Sequence, residues 1–92
     1  MKKIKLSKRL QALADCVPVG EAAADIGTDH GYIPIYLIQN GTAERVIASD
    51  IRSGPLASAR RSAELYGVLD KIEFIQADGL VGIRPGSVQT VL

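Results

Sequence analysis

Three short apolar runs, at residues 22–26, 46–49 and 72–75, alternate with segments carrying helix punctuation, and this alternation restricts the fold more than any other feature. Ser7 followed by Leu10, Leu13 and Ala14 predicts a short capped helix, closed before Val17-Pro18, with Val19-Gly20 as a turn. A second helix should begin near His30 or Gly31. Pro34 is tolerated in its first turn, where the missing N–H costs nothing, and Asn40-Gly41 ends it. Ser53-Gly54-Pro55 opens a third helix that gathers Leu56, Ala59, Ala63 and Tyr66 on one face and points Arg60, Arg61 and Glu64 elsewhere, with Gly67 as its cap. A loop through Arg84-Pro85-Gly86 leads to a fourth strand over 88–92. Strands alternating with helices at this spacing predict an α/β chain of Rossmann-like form, a doubly wound parallel sheet. Right-handed crossovers would bring the carboxyl ends of the strands to one edge, where ligands of such sheets bind.

Ninety-two residues allow one small domain, which buries only roughly 60–65% of its unfolded surface. A parallel sheet needs cover and further strands, so a chain stopping at Leu92 reads as truncated at the fourth strand, residues 1–92 being half of a domain. The single cysteine, Cys16, excludes an internal disulfide framework and a cysteine-rich metal site, and is expected to pack as a small apolar side chain near a helix end. No metal is expected. No apolar run reaches transmembrane length, and no signal-peptide pattern follows the basic start, so a reducing cytoplasm is the expected location. Lys2, Lys3, Lys5, Lys8 and Arg9 are five of the eleven basic residues. They read either as a solvated, partly frayed terminus or as an edge that contacts nucleic-acid phosphates.

Three elements fall at the predicted strand ends: the loop Gly27-Thr28-Asp29-His30-Gly31, Asp50, and Asp78-Gly79. Glycines at a strand-to-helix turn let a ligand approach the backbone closely. Asp50 lies twenty-three residues after Gly27, near the offset of about 20 expected of an acid that holds a ribose. Asp78 could accept from an adenine amino group. The dinucleotide fingerprint G-x-G-x-x-G, started at Gly27, meets Asp29 and Tyr32 at its later glycine positions. An NAD pyrophosphate would also lie beside the Asp29 carboxylate and be repelled. S-adenosylmethionine, with an ammonium and a sulfonium and no phosphate, suits that acid.

These residues resemble a family. Leu6-Ser7-Lys8-Arg9-Leu10, the run Ala24-Asp25-Ile26-Gly27-Thr28-Asp29-His30-Gly31-Tyr32-Ile33-Pro34, Ala48-Ser49-Asp50-Ile51 with Gly54-Pro55, and Asp78-Gly79-Leu80 are similar to the bacterial tRNA adenine-N1 methyltransferases. Those enzymes methylate N1 of the adenine at position twenty-two of tRNA. The resemblance implies a class I methyltransferase fold, S-adenosylmethionine as cofactor and tRNA as partner, with residues 1–92 as the N-terminal, cofactor-binding half and little catalysis by that half alone. It also implies that the glycine-rich motif after the fourth strand and a helical region lie beyond Leu92, and that Gln89 stands near where such enzymes often carry an acid. The expected cofactor-binding set is Arg9, Asp25, Gly27, Thr28, Asp29, Gly31, Asp50, Ile51, Asp78 and Gly79, and the expected catalytic pair is Asp29 and His30.

Each of these residues has a plainer role beside the chemical one. Asp29 either stabilises positive charge at the reacting base or caps the helix by accepting from the Tyr32 N–H, or does both. His30 orients the base or carries a proton, or simply packs or bonds the backbone. Tyr32 stacks on a base or packs in the core. Arg9 reaches the methionine carboxylate or a tRNA phosphate, or is solvated. Two competing readings of the whole chain are an NAD-dependent oxidoreductase half-domain and a non-catalytic cofactor-binding module.

Overall fold

The computed structural model describes residues 2–84 and 86–92, so Pro85 of the predicted loop lies outside the described residues. The elements run α1 (Lys8–Ala14), β1 (Ala23–Ile26), α2 (Tyr32–Gln39), β2 (Val46–Asp50), α3 (Ser53–Leu65), a 3-10 turn (Leu69–Lys71), β3 (Ile72–Gln76) and β4 (Thr90–Val91). All strand pairings are parallel and the sheet order is β3-β2-β1-β4. Every predicted helix and strand is present. The fourth strand is shorter than expected, two residues against five, and the 3-10 turn was not foreseen.

Local chemistry explains the boundaries. Ser7 Oγ accepts from the Leu10 N–H and caps α1. Gly41 leaves α2 in the left-handed region, and Leu37 O accepts from both Thr42 and Ala43, a helix end that favours glycine. α2 is apolar on nearly all sides, with Ile33, Pro34, Ile35, Leu37 and Ile38 buried. α3 buries one stripe, Leu56, Ala59 and Ala63. The two helices meet at Gly31, where an added Cβ would lie 2.8 Å from the Ala59 Cβ. They therefore share one face of the sheet, over Ala23, Val46 and Ala48.

The basic side chains at the start of the chain are exposed, as a solvated terminus requires, but the backbone that carries them is tied to α2. Gln39 at the end of α2 accepts from the Ile4 N–H at 2.8 Å and donates to the carbonyls of Lys2 and Tyr66 at 2.7 and 3.0 Å. Ile4 is buried as a result. Cys16 also departs from expectation: it is exposed, its thiol donating to the Ala12 carbonyl, because α1 ends before its side chain can turn inward.

Candidate ligand clefts at the carboxyl edge of the sheet

β1 and β2 end side by side, and the chain after β1 bends over the end of β2. The N–H groups of Gly27 and Thr28 both donate to the Ser49 carbonyl, at 2.8 and 2.9 Å. The Ala77 N–H donates to Asp50 O, carrying the chain after β3 to the same edge. Two clefts open there and share Ile26 and Gly27. One, of about 270 Å³, is lined by Ile26, Gly27, Asp50, Ile51, Arg52, Ala77, Asp78 and Gly79. The other, of about 450 Å³, is lined by the run from Asp25 to His30 and by Tyr32, together with Arg9, Leu10, Leu13, Ile33 and Leu92. Gly27 and Gly79 have positive φ, and a Cβ at either would meet nothing within 4 Å, so the backbone there faces open space.

Asp50 forms the buried floor of the smaller cleft. Its Oδ1 accepts from the Arg52 N–H at 3.0 Å and from Arg52 Nε at 3.3 Å. Burial pushes the Asp50 carboxyl up, but the Arg52 N–H, the Arg52 side chain and its charge outweigh that, with a smaller pull from the Asp29 N–H. The carboxyl is held below the usual carboxylate range. Its Oδ2 is buried with no hydrogen-bond partner, as are Thr28 Oγ1 and Ser49 Oγ. Buried polar atoms are nearly always paired, so the unpaired Asp50 Oδ2 at the cleft floor marks a place where a donor from outside the chain fits. A sugar hydroxyl fits the free Asp50 oxygen. Oδ1 is already engaged by Arg52, so Oδ2 is the oxygen open to such a donor.

Asp25 is buried against the larger cleft, where desolvation raises its carboxyl pKa to about 6 and the neighbouring Thr28 hydroxyl offsets only part of that. An ionised Asp25 therefore gains from a cationic ligand, which restores the solvation that burial removed. Arg9, on α1, lines the same cleft. Exposed Asp78 and half-buried Gly79 line the smaller one, as does exposed Ile51.

Asp29 does not cap α2. The cap position is Gly31, no side chain bonds the helix end, and Asp29 itself is the one described non-glycine residue with positive φ, at 57°. Aspartate tolerates this region better than most residues, and the conformation leaves its carboxylate 65% exposed. His30 neither packs inside nor bonds the backbone. Its Nδ1 lies 3.0 Å from Ser58 Oγ on α3, and its Nε2 is 3.9 Å from Asp29 Oδ2. Its ring stacks on Tyr32 with centroids 5.3 Å apart. Tyr32 is 39% exposed and so lies outside the core, on the cleft wall. Gly31 lines neither cleft; its missing Cβ is required by Ala59.

Gln89 stands at the other end of the sheet. Its side chain accepts from the Ala22 N–H at 2.8 Å, just before β4 pairs with β1. It therefore lines neither cleft. Ser58 and Arg52 were not singled out in the sequence. Nothing marks Ser58, which meets His30 across 28 residues. Arg52 carries a signal that was available: an Asp two residues before an N–H readily forms an Asx-turn.

Among the described residues no group of three or more His, Cys, Asp or Glu could hold a metal ion, and no helix is long and apolar enough to cross a membrane.

The family described as "Methyltransferase domain" matches residues 6–92. The chain is 43% identical to the tRNA (adenine(22)-N(1))-methyltransferase of Bacillus subtilis (strain 168), over 99% of this chain and 38% of that protein. The crystal structure of the B. subtilis m1A22 tRNA methyltransferase TrmK superposes with a TM-score of 0.90, covering 97% of this chain and 38% of that one. M. capricolum TrmK, in complex with S-adenosyl-homocysteine, superposes with a TM-score of 0.82 at 38% identity, over 90% of this chain and 37% of that one. The chain thus spans well under half the length of these relatives.

Proposed function

The chain belongs to the methyltransferase domain family, and from that premise we propose that it is the cofactor-binding half of an S-adenosylmethionine-dependent enzyme that methylates N1 of an adenine in tRNA. The observation that carries this reading is the unpaired, buried Asp50 Oδ2 beside the open backbone of Gly27. That oxygen is an acceptor matched to a ribose hydroxyl. The solved relative that holds S-adenosyl-homocysteine supports the same ligand class, and the identity to the B. subtilis enzyme supports the tRNA acceptor; a tRNA substrate is what places the proposed activity in the cytoplasm.

S-adenosylmethionine supplies, when bound, an electrophilic methyl group on a cationic sulfur. In this chain Asp50 accepts from the ribose and Asp78 from the adenine amino group, with Ile51 and Gly79 lining that cleft. Gly27 leaves room for the ligand to pass between the two clefts. Arg9 faces the carboxylate of the methionine part, while Asp25 and Asp29 answer its positive charges. Thr28, its hydroxyl beside Asp25, lines the larger cleft.

Adenine N1 carries an in-plane lone pair, so the acceptor needs alignment more than deprotonation. The methylated base is cationic until its amino group loses a proton. Asp29 stabilises that charge and accepts that proton. His30 Nδ1 lies against the Ser58 hydroxyl and Nε2 is 3.9 Å from the Asp29 carboxylate, so α3 holds the ring beside that acid. Tyr32 and His30, already stacked on each other, offer an aromatic surface to an unpaired base.

Calorimetry of the chain with S-adenosylmethionine and with NAD tests this reading. Saturable binding of S-adenosylmethionine is expected; tight NAD binding without a response to S-adenosylmethionine would overturn it.

A further inference from the structure

We propose that the segment from Lys2 to Arg9 is a fixed cationic strip that holds the RNA phosphate backbone alongside the larger cleft. This rests on the reading of the protein as an RNA methyltransferase and says which surface of this chain the RNA contacts. The charge is segregated: five of the eleven basic residues and none of the ten acidic ones fall in the first nine positions. The rest of the chain carries six basic against ten acidic residues and would repel a polyanion. Whatever long-range attraction the chain has for RNA must therefore come from this segment.

Geometry adds to charge. Lys2, Lys3, Lys5, Lys8 and Arg9 are all exposed, yet the backbone that carries them is held along α2. At the far end of that helix Gln39 clamps the Lys2 carbonyl and the Ile4 N–H, and Lys2 Nζ lies over the Tyr66 ring at 5.8 Å. Midway, Gln11 of α1 donates to the Tyr36 hydroxyl at 3.0 Å. At the near end Arg9 lines the cleft with Asp29, His30 and Tyr32. The strip runs beside an eight-residue helix, roughly 12 Å at 1.5 Å per residue, and ends at the residues that meet the target base. A phosphate backbone lying on it is repelled by Asp29 at the cleft mouth, so a base, not a phosphate, turns inward there.

Fluorescence anisotropy of a labelled tRNA transcript with this chain, across a series of KCl concentrations, tests the strip. Each phosphate contact contributes a slope of roughly −0.7 to −0.9 in log K against log salt. Replacing Lys2, Lys3, Lys5 and Lys8 by alanine, with Arg9 kept, should make the slope shallower by about 3 and weaken binding by on the order of tenfold or more. Gln39→Ala keeps every charge but frees the segment, and should weaken binding several-fold. Circular dichroism checks that both variants fold. An unchanged slope in the lysine variant, Gln39→Ala binding as tightly as the parent, or capture of the chain by phosphatidylglycerol vesicles but not by tRNA would overturn the proposal. S-adenosylmethionine calorimetry on the same samples separates the two readings: a parent chain that shows the predicted slopes yet binds no S-adenosylmethionine keeps the strip and loses the methyltransferase assignment.

Discussion

Arg52 occupies one oxygen of Asp50 and leaves the other free. Its N–H and its Nε both reach Oδ1, at 3.0 and 3.3 Å, while Oδ2 is buried without a partner. Asp50 is 3% exposed and Arg52 67%, so the carboxylate is fixed and the arginine side chain is the part able to move aside. Asp50→Ala should weaken S-adenosylmethionine binding by roughly ten- to 150-fold, the worth of one hydrogen bond to a charged group. Arg52→Ala should change it by no more than about threefold, because the exposed guanidinium is screened by solvent and the backbone N–H of residue 52 still holds Oδ1. Calorimetric affinities of the two variants check both values.

Asp29 is exposed, left-handed and free of capping duty. Asp29→Asn keeps a side chain that tolerates this backbone and removes only the charge. Melting temperature should stay close to that of the parent. The preference for S-adenosylmethionine over the uncharged-sulfur S-adenosyl-homocysteine should fall several-fold, as measured by competition between the two ligands. An unchanged preference would mean that Asp29 does not answer the sulfonium.

The order of elements was legible because strand and helix leave different periods in the apolar residues, and because Ser7, Pro34, Pro55 and Gly41 act locally. Asp50 and Asp78-Gly79 could be placed at one edge for the same reason: in a parallel sheet the end of each strand is known once the strand is. Contacts made across long stretches of chain were not legible. Ser58 reaches His30 only because Gly31 lets α3 approach α2 closely. Gln39 pins a segment 35 residues earlier in the chain. Gln89, set by the resemblance near where such enzymes carry an acid, lies just before β4 with its side chain on the Ala22 N–H. Asp29 resembled a cap in spacing, but the extra left-handed turn shifts the helix start to Tyr32.

Gly31→Ala tests the helix contact. The new methyl group would meet the Ala59 Cβ at 2.8 Å on a backbone with φ near 75°. Overpacking and the left-handed strain together should cost about 1–3 kcal/mol. The melting temperature should drop by roughly 4–8 °C per kcal/mol in a chain this small. Gly27→Ala, with nothing within 4 Å of the added carbon, should cost only the backbone term, about 1 kcal/mol, yet hinder the ligand. Thermal melts with and without S-adenosylmethionine separate the two.

Asp25 sets a pH dependence of stability. Its carboxyl is raised from 3.8 to about 6 by burial, so the folded state holds a proton that the unfolded chain has released. That contribution is fully present below about pH 3.8 and is lost as pH rises through about 6. The loss is on the order of 3 kcal/mol. Asp25→Asn should therefore be more stable than the parent at pH 7 and flatter between pH 4 and 6, by urea denaturation at a series of pH values. S-adenosylmethionine should bind the parent more weakly below about pH 6, where Asp25 is protonated.

The central claim is that the carboxyl edge of the sheet holds S-adenosylmethionine. A comparable cleft, about 420 Å³, opens at the opposite edge among Val19, Gly20, Glu21, Thr42, Glu44 and Arg45. Titration of the ¹⁵N-labelled chain with S-adenosylmethionine, followed by amide chemical shifts, distinguishes the two edges residue by residue. Saturable shifts are expected at Gly27, Thr28, Asp29, Asp50, Ile51, Asp78 and Gly79, with Gly20, Thr42 and Arg45 unmoved. Shifts confined to Gly20, Thr42 and Arg45, or none at all at saturating ligand, would contradict it.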